Sequence, residues 1–118
     1  MDTRTSGIRG EAEAVRYVTD LGMTVLARNY RAAGGEIDLI ARDGDAVAFI
    51  EVKARRSPRY GTPEEAVTHA KMRNVARAAT AYLQKNRLLD ASVRFDVIAI
   101  EGEDIRYYRA AFDATDLF

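Results

Sequence analysis

Two apolar segments of the chain are interrupted by residues that could do hydrolytic chemistry together: Asp38, Glu51 and Lys53. Burying two carboxylates and an ammonium among apolar side chains is costly unless they are paired or bind a ligand. A divalent metal ion and a phosphate suit this combination, because carboxylates hold hard divalent ions that assist phosphodiester hydrolysis. The residue types therefore favour a metal-dependent nuclease site. A solvated strand end carrying an ion pair explains the same residues and stays open.

The chemistry assigns a role to each group. Mg²⁺ or Mn²⁺ needs few protein carboxylates because it retains waters, so Asp38 and Glu51 suffice, assisted by the carbonyl oxygen of Val52. Lys53 is expected to orient the attacking water or to stabilise charge that builds on the phosphate.

A β-hairpin is predicted to bring these residues together. Residues 36–41 and 46–53 have the apolar content and length of strands, and an Asp-Gly pair between them indicates a tight turn. We predict a two-residue loop at Asp43-Gly44. This register pairs Arg42 with Asp45, Asp38 with Phe49, and Glu36 with Glu51.

Side chains two residues apart share a face of a strand, so Glu36, Asp38, Glu51 and Lys53 are predicted to project the same way. The opposite face is predicted to be wholly apolar: Ile37, Leu39, Ala41, Ala48, Ile50 and Val52. Ile40, Val47 and Phe49 make the polar face apolar near the turn, and strands of this kind are usually covered on both sides. The polar cluster is therefore expected at the open end of a buried hairpin, where a cleft can form.

The remaining elements surround this hairpin. Periodicity predicts a helix over 7–21, a strand over 23–31 and a long helix from Thr62 to about Asn86. Two further strands are predicted in two segments: 93–101 and 105–111. The order predicts an α/β fold with one mixed sheet flanked by helices. The long helix permits a crossover, so the strands of Val52 and Val97 are expected to be neighbours.

Composition narrows the class of protein. The chain has 118 residues, 47% hydrophobic and 31% charged, with no cysteine and a net charge of +0. These values predict a single domain over 1–118 with short, weakly ordered ends. The absence of cysteine fits a cytoplasmic protein without disulfides or thiolate metal sites, and no signal peptide or membrane span is expected.

Basic residues are concentrated in residues 53–94, which hold ten Lys or Arg and only three acids. Candidates for contacts with nucleic-acid phosphates are Arg55, Arg56, Arg59 and Lys71, and Tyr60 could stack on a base or a sugar. Solvation of the surface explains each basic residue equally well, and a loop tyrosine more often packs on its own domain.

Several blocks of the sequence match one family. They are Gly10–Ala14, Arg28–Arg31, Gly35–Ala41, Phe49–Arg55, Tyr60-Gly61, Glu65–Val67, Lys71 and Arg94–Ile98. Asp38 followed by Glu51-Val52-Lys53 resembles the Asp…Glu-x-Lys core of the PD-(D/E)xK nuclease superfamily, although Ile37 replaces the proline of that motif. The chain is most similar to the archaeal Holliday-junction resolvases and to the YraN-type family of uncharacterised bacterial proteins.

The resemblance implies a restriction-endonuclease-like αβββαβ fold and a Mg²⁺- or Mn²⁺-dependent DNA endonuclease, with branched DNA as substrate and a homodimer as the assembly. It also implies that Glu11 lies near the metal. Glu11 shares a helical face with Val15 and Val18 and should point inward, although an acid that favours the helix dipole is the alternative.

Other polar residues have ordinary explanations. Glu36 is a further ligand or the rim of the hairpin, and His69 is expected on the helix surface. Asp96, within an apolar strand, is expected to pair with Arg94 or Lys71 or to serve structure.

Two other functions stay open. A nucleic-acid-binding adaptor could keep the fold with little or no catalysis, and near-neutral charge favours a protein partner that supplies specificity. Alternatively, the carboxylates could bind a metal only for stability.

Overall fold

The computed structural model describes residues 3–55 and 69–111. It contains two helices and five strands: α1 (Thr3–Asp20), β1 (Thr24–Ala32), β2 (Gly35–Asp43), β3 (Ala46–Arg55), α2 (His69–Lys85), β4 (Ser92–Glu101) and β5 (Asp104–Tyr108). The predicted start of the second helix at Thr62 lies outside the described residues. The first helix begins earlier than the sequence predicted, at Thr3, and β5 ends earlier, at Tyr108.

The five strands form one mixed sheet in the order β1-β2-β3-β4-β5. Strands β3 and β4 are parallel, with Val52 beside Ile98, and the other neighbours are antiparallel. A parallel pair needs a crossover connection, and α2 lies in the stretch between β3 and β4. The predicted mixed α/β fold is therefore confirmed, and it is compatible with a restriction-endonuclease-like core.

Each face of the sheet carries its own helix and its own hydrophobic core. Val75, Ala79 and Leu83 of α2 pack with Phe49 on one face. Val18 of α1 packs with other sheet residues on the opposite face. The strands of the hairpin are thus covered on both sides, as their apolar content predicted.

The left-handed conformation of one glycine ends α1. Gly22 has a φ of 91°, and its N–H donates to the Thr19 carbonyl while the N–H of Met23 donates to that of Val18. These two bonds form the Schellman motif, which needs a left-handed residue at that position. The predicted end of the first helix, at residue 21, is confirmed to within one residue, since α1 ends at Asp20.

Candidate active site

The β2–β3 hairpin brings Asp38 and Glu51 to neighbouring positions, in a register different from the predicted one. Asp43 pairs with Ala46, so the two-residue loop is Gly44-Asp45. Gly44 has a φ of 61°, and a type II′ turn requires a positive φ at its first central residue. The predicted register, which paired Glu36 with Glu51 and placed the loop one residue earlier, is wrong by two positions. An even shift preserves the parity of the paired residues, and Asp38 stays close enough to Glu51 to raise its pKa.

Backbone pairing of the hairpin stops just before the site. The last pair is Leu39 with Ile50, and beyond it the N–H of Val52 donates to Asp38 Oδ2 at 2.8 Å. The Asp38 carboxylate therefore takes the place of a strand carbonyl. This bond fixes the carboxylate against β3 and opens the two strands where the site begins.

The alternation of β2 changes at Asp38. Ile37 packs in the core beneath α2 together with Ile40, whereas Leu39 packs in the core beneath α1. The prediction that Ile37 shares a face with Leu39 is therefore wrong. The neighbouring strand β1 is irregular at the same level, because Asn29, which lies opposite Asp38, has a φ of 50°.

Glu51 is the most unusual side chain of the site. It is 1% exposed, and neither of its carboxylate oxygens accepts a hydrogen bond within the described residues. Its one described contact with a cation is an ion pair, with Lys71 Nζ 3.2 Å from Oε2. Burial, and then the negative charge of Asp38, raise the pKa of Glu51 to about 7, although Lys71 and Lys53 act in the opposite direction.

A close contact between α2 and β2 positions Lys71. A Cβ added to Gly35 would lie 1.9 Å from the backbone oxygen of Asn74 and 3.3 Å from the Cβ of Ala78. Only glycine permits this approach, which brings the helical turn of Lys71 over the hairpin. Burial alone would lower the pKa of Lys71, but the negative charges around it, that of Glu51 first, outweigh this effect, so that the pKa of Lys71 is raised.

The other predicted site residues make no described hydrogen bond or ion pair with Asp38 or Glu51. Lys53 is half-buried and near enough to affect the pKa of Glu51. Glu36 forms an ion pair with Arg31 on β1, 3.5 Å from Nε to Oε1, which favours the rim of the hairpin. Arg55 is described by its backbone alone, and three candidates for nucleic-acid contacts lie outside the described residues: Arg56, Arg59 and Tyr60.

Glu11 points inward, as its helical position predicted. Its Oε1 is buried and accepts no hydrogen bond from the described residues. The helix is close to β3 there, since a Cβ added to Gly10 would lie 2.9 Å from the Cβ of Ala54. No three His, Cys, Asp or Glu side chains in the described ranges lie near enough to hold a metal ion. Metal ligation by Glu11 and by the Val52 carbonyl therefore stays a prediction.

The sequence did not identify the partner of Glu51. Lys71 was expected to contact phosphates, and its position on a helix gave no sign that it reaches a strand twenty residues away. Glu101 was also missed: its Oε1 is buried without a hydrogen bond from the described residues. Its register position beside Arg55 puts it at the same end of the sheet as the site.

The carboxylate oxygens of Asp38 and Glu51 are suitable ligands for a divalent ion. Both are carboxylates, the ligand type that Mg²⁺ and Mn²⁺ prefer, and the buried oxygens of Glu51 accept no hydrogen bond of regular geometry from the described residues. Burial, and then the negative charge of Asp38, disfavour the ionised form of Glu51, and a cation held by the two carboxylates would offset both effects.

Comparisons with known proteins identify close relatives. The sequence model described as "Uncharacterised protein family UPF0102" matches residues 10–100. A UPF0102 protein of Alkalilimnicola ehrlichii is 46% identical over 92% of this chain and 87% of its own length. The corresponding protein of Symbiobacterium thermophilum is 49% identical over 88% of this chain and 89% of its own. The resemblance to the YraN-type family is thereby confirmed. Within the described residues, neither helix is long and apolar enough to cross a membrane.

Proposed function

The chain belongs to the uncharacterised protein family UPF0102, and from this premise we propose that it is a Mg²⁺- or Mn²⁺-dependent DNA endonuclease of the PD-(D/E)xK type. The observation that carries the proposal is the burial of the Glu51 carboxylate beside Asp38 without a hydrogen bond from the described residues. The Glu51 carboxylate is 1% exposed, lies beside a second carboxylate, and accepts no hydrogen bond from the described residues. Such an arrangement is destabilising in a merely structural role and is typical of functional sites.

Each residue of the site has a distinct task in this proposal. Asp38 and Glu51 would hold the ion, which when bound would neutralise charge on the phosphate and activate water. The N–H of Val52 keeps Asp38 from rotating away, because it donates to Oδ2. Lys53 would donate to a phosphate oxygen or hold the attacking water, and the surrounding apolar core keeps bulk water from weakening these interactions.

The substrate class is proposed by analogy. The similarity to archaeal Holliday-junction resolvases suggests branched DNA, and two cuts on a symmetric junction suggest a homodimer. The net charge of +0 favours a protein partner that supplies specificity. The lack of cysteine supports action in the cytoplasm.

Cleavage of labelled DNA tests the proposal. Wild type, Glu51→Gln and the control Glu103→Gln would be incubated with Mn²⁺ and four-way-junction, flap, single-stranded or duplex DNA. Glu103 is exposed in the turn before β5. We expect Glu51→Gln to lose about a hundredfold or more in rate, and Glu103→Gln to cut like wild type.

The other outcomes separate the alternatives. Salt-dependent binding of DNA by all three proteins without cleavage would replace the enzyme with the nucleic-acid-binding adaptor. A rise in melting temperature with Mn²⁺ that needs Asp38, without DNA binding, would indicate a metal that serves stability. Equal cleavage by wild type and Glu51→Gln would place the activity outside this site.

A further inference from the structure

Lys71 stands where the proposed site needs a cation. Its Nζ lies 3.2 Å from Oε2 of Glu51, on a carboxylate that accepts no hydrogen bond of regular geometry from the described residues. The negative charge of Asp38 also acts on Lys71. The ammonium therefore neutralises the same pair of carboxylates that would hold a divalent ion.

The two partners of this ion pair differ in their freedom to move. Glu51 projects from the middle of a strand and its side chain is 1% exposed, whereas the side chain of Lys71 is 33% exposed. A lysine side chain has four rotatable bonds and can carry its ammonium to water while its stem stays packed. The cation at this site can therefore be exchanged by movement of the Lys71 side chain, while Glu51 stays in place.

The position of the lysine is set by the fold. The contact of Gly35 with the backbone of Asn74 fixes α2 against β2, one helical turn beyond Lys71. The ammonium is therefore delivered to Glu51 by the packing of the helix.

We propose that Lys71 is a built-in counter-ion of the site, and that a divalent ion binds Glu51 by displacing its ammonium. The inference rests on the proposed function, because it concerns the carboxylates that would hold the ion. In the metal-free protein the ion pair prevents Glu51 from being buried as an unpaired charge. The contact also weakens metal binding, since it must break when the metal enters.

Direct measurement of Mn²⁺ binding tests the displacement. The signal of free Mn²⁺ in electron paramagnetic resonance would be titrated at pH 8, where protons compete little for Glu51. Lys71→Met keeps most of the side-chain volume without its charge, and we expect it to bind Mn²⁺ about tenfold more tightly than wild type. Lys71→Arg keeps the charge and should stay near wild type.

The matched control is Lys85→Met, at the exposed end of the same helix. It removes the same charge away from the site and should change Mn²⁺ affinity by no more than about twofold. Equal or weaker binding by Lys71→Met than by wild type would overturn the displacement.

A second measurement needs only the wild-type protein. An amine-reactive ester modifies lysines whose ammonium is accessible, and mass spectrometry reads each site separately. We expect Mn²⁺ to increase the modification rate of Lys71 several-fold and to leave that of Lys85 unchanged. A rate for Lys71 that does not respond to Mn²⁺ under saturating conditions would overturn the inference even if Lys71→Met fails to fold.

The two proposals fail in distinguishable ways. If wild type and Lys71→Met both leave Mn²⁺ free, the metal site is absent and both proposals fall. If wild type binds Mn²⁺ through Glu51 and cleaves DNA, but Lys71→Met binds no more tightly, only the displacement falls.

Discussion

Two buried carboxylates lie one register step apart on neighbouring parallel strands, and their surroundings are opposite. Glu51 on β3 pairs with Val97, and Asp96 on β4 pairs with Ile50, so the two acids face opposite sides of the sheet. Their exposures are 1% and 0%. Glu51 has an ion pair and no regular hydrogen bond in the described structure, whereas Asp96 accepts several.

The surroundings of Asp96 form a closed network. Arg94 Nε donates to both oxygens at 2.9 and 3.0 Å, the Tyr107 hydroxyl donates to Oδ2, and the Ala110 N–H donates to Oδ1 at 2.8 Å. Arg94 also reaches Asp43 at 3.0 Å and so ties the hairpin turn to β4. A buried carboxylate with its acceptors filled stabilises the fold.

The two carboxylates differ in how completely hydrogen bonds from the protein satisfy them. Burial is nearly the same for both carboxylates, and both interrupt apolar strands. What differs is the number of donors that the fold supplies. Asp96 is satisfied by its own protein, and Glu51 is left with acceptor capacity that a ligand can use.

The largest expected effect is the loss of the Asp96 network. Asp96→Ala leaves Arg94 and Tyr107 without their acceptor, and we expect the free energy of unfolding to fall by about 3–5 kcal/mol. Urea denaturation measures it. Asp90→Ala, at an exposed turn position, is the control and should stay within about 0.5 kcal/mol of wild type. Equal effects of the two substitutions would contradict a structural role for Asp96.

The second prediction concerns Glu51 and the pH dependence of the free energy of unfolding. The pKa of Glu51 is about 7 in the folded protein, above its ordinary 4.5, so the folded state holds the proton more tightly. Its contribution to stability is complete below pH 4.5 and is lost as the pH rises through 7. For a nearly fully buried group we expect a loss on the order of 3 kcal/mol.

Glu51→Gln isolates this titration, because the amide does not ionise. The unfolding free energy of wild type minus that of Glu51→Gln should decrease from pH 4.5 to 8. Urea denaturation of both proteins without metal measures this difference. A constant difference across that range would show that Glu51 is solvated or fully paired, and the contrast with Asp96 would disappear.

The next effect concerns the delivery of Lys71 to the site. Gly35→Ala places a Cβ against the backbone of α2, and we expect a loss of about 1–3 kcal/mol as the helix shifts. The shift should also expose Lys71 to the amine-reactive ester. Gly102→Ala is the control: its Cβ meets open space at a φ of 60°, so it strains the backbone far from α2. An unchanged Lys71 rate in Gly35→Ala would show that this contact does not position the lysine.

The smallest expected effect is at the hairpin rim. Glu36 pairs with Arg31, whose side chain is 77% exposed, so Glu36→Gln should change the unfolding free energy by less than about 1 kcal/mol. Mn²⁺ affinity should also be unchanged, whereas Asp38→Asn should abolish it. Weaker Mn²⁺ binding in Glu36→Gln would make Glu36 a ligand and widen the site.

Local patterns predicted the elements well, because apolar periodicity records which side chains are buried. They failed at the hairpin register, since the run Asp43-Gly44-Asp45 can close a two-residue loop in two ways that both keep the alternation. They also failed at Ile37, where the neighbouring strand β1 is irregular at Asn29 and the side chain changes face without a change in composition.

The sequence by itself determined that Asp38, Glu51 and Lys53 share one end of a buried hairpin, because their distances from the turn along the two strands put them there in either register. The tertiary structure decided which groups satisfy each acid. Lys71 reaches Glu51 only because α2 packs against Gly35, and Asp96 is satisfied only because β5 and the hairpin turn meet at Arg94. Such contacts join residues distant in the chain, and their free energy depends on distances and desolvation that no local pattern records.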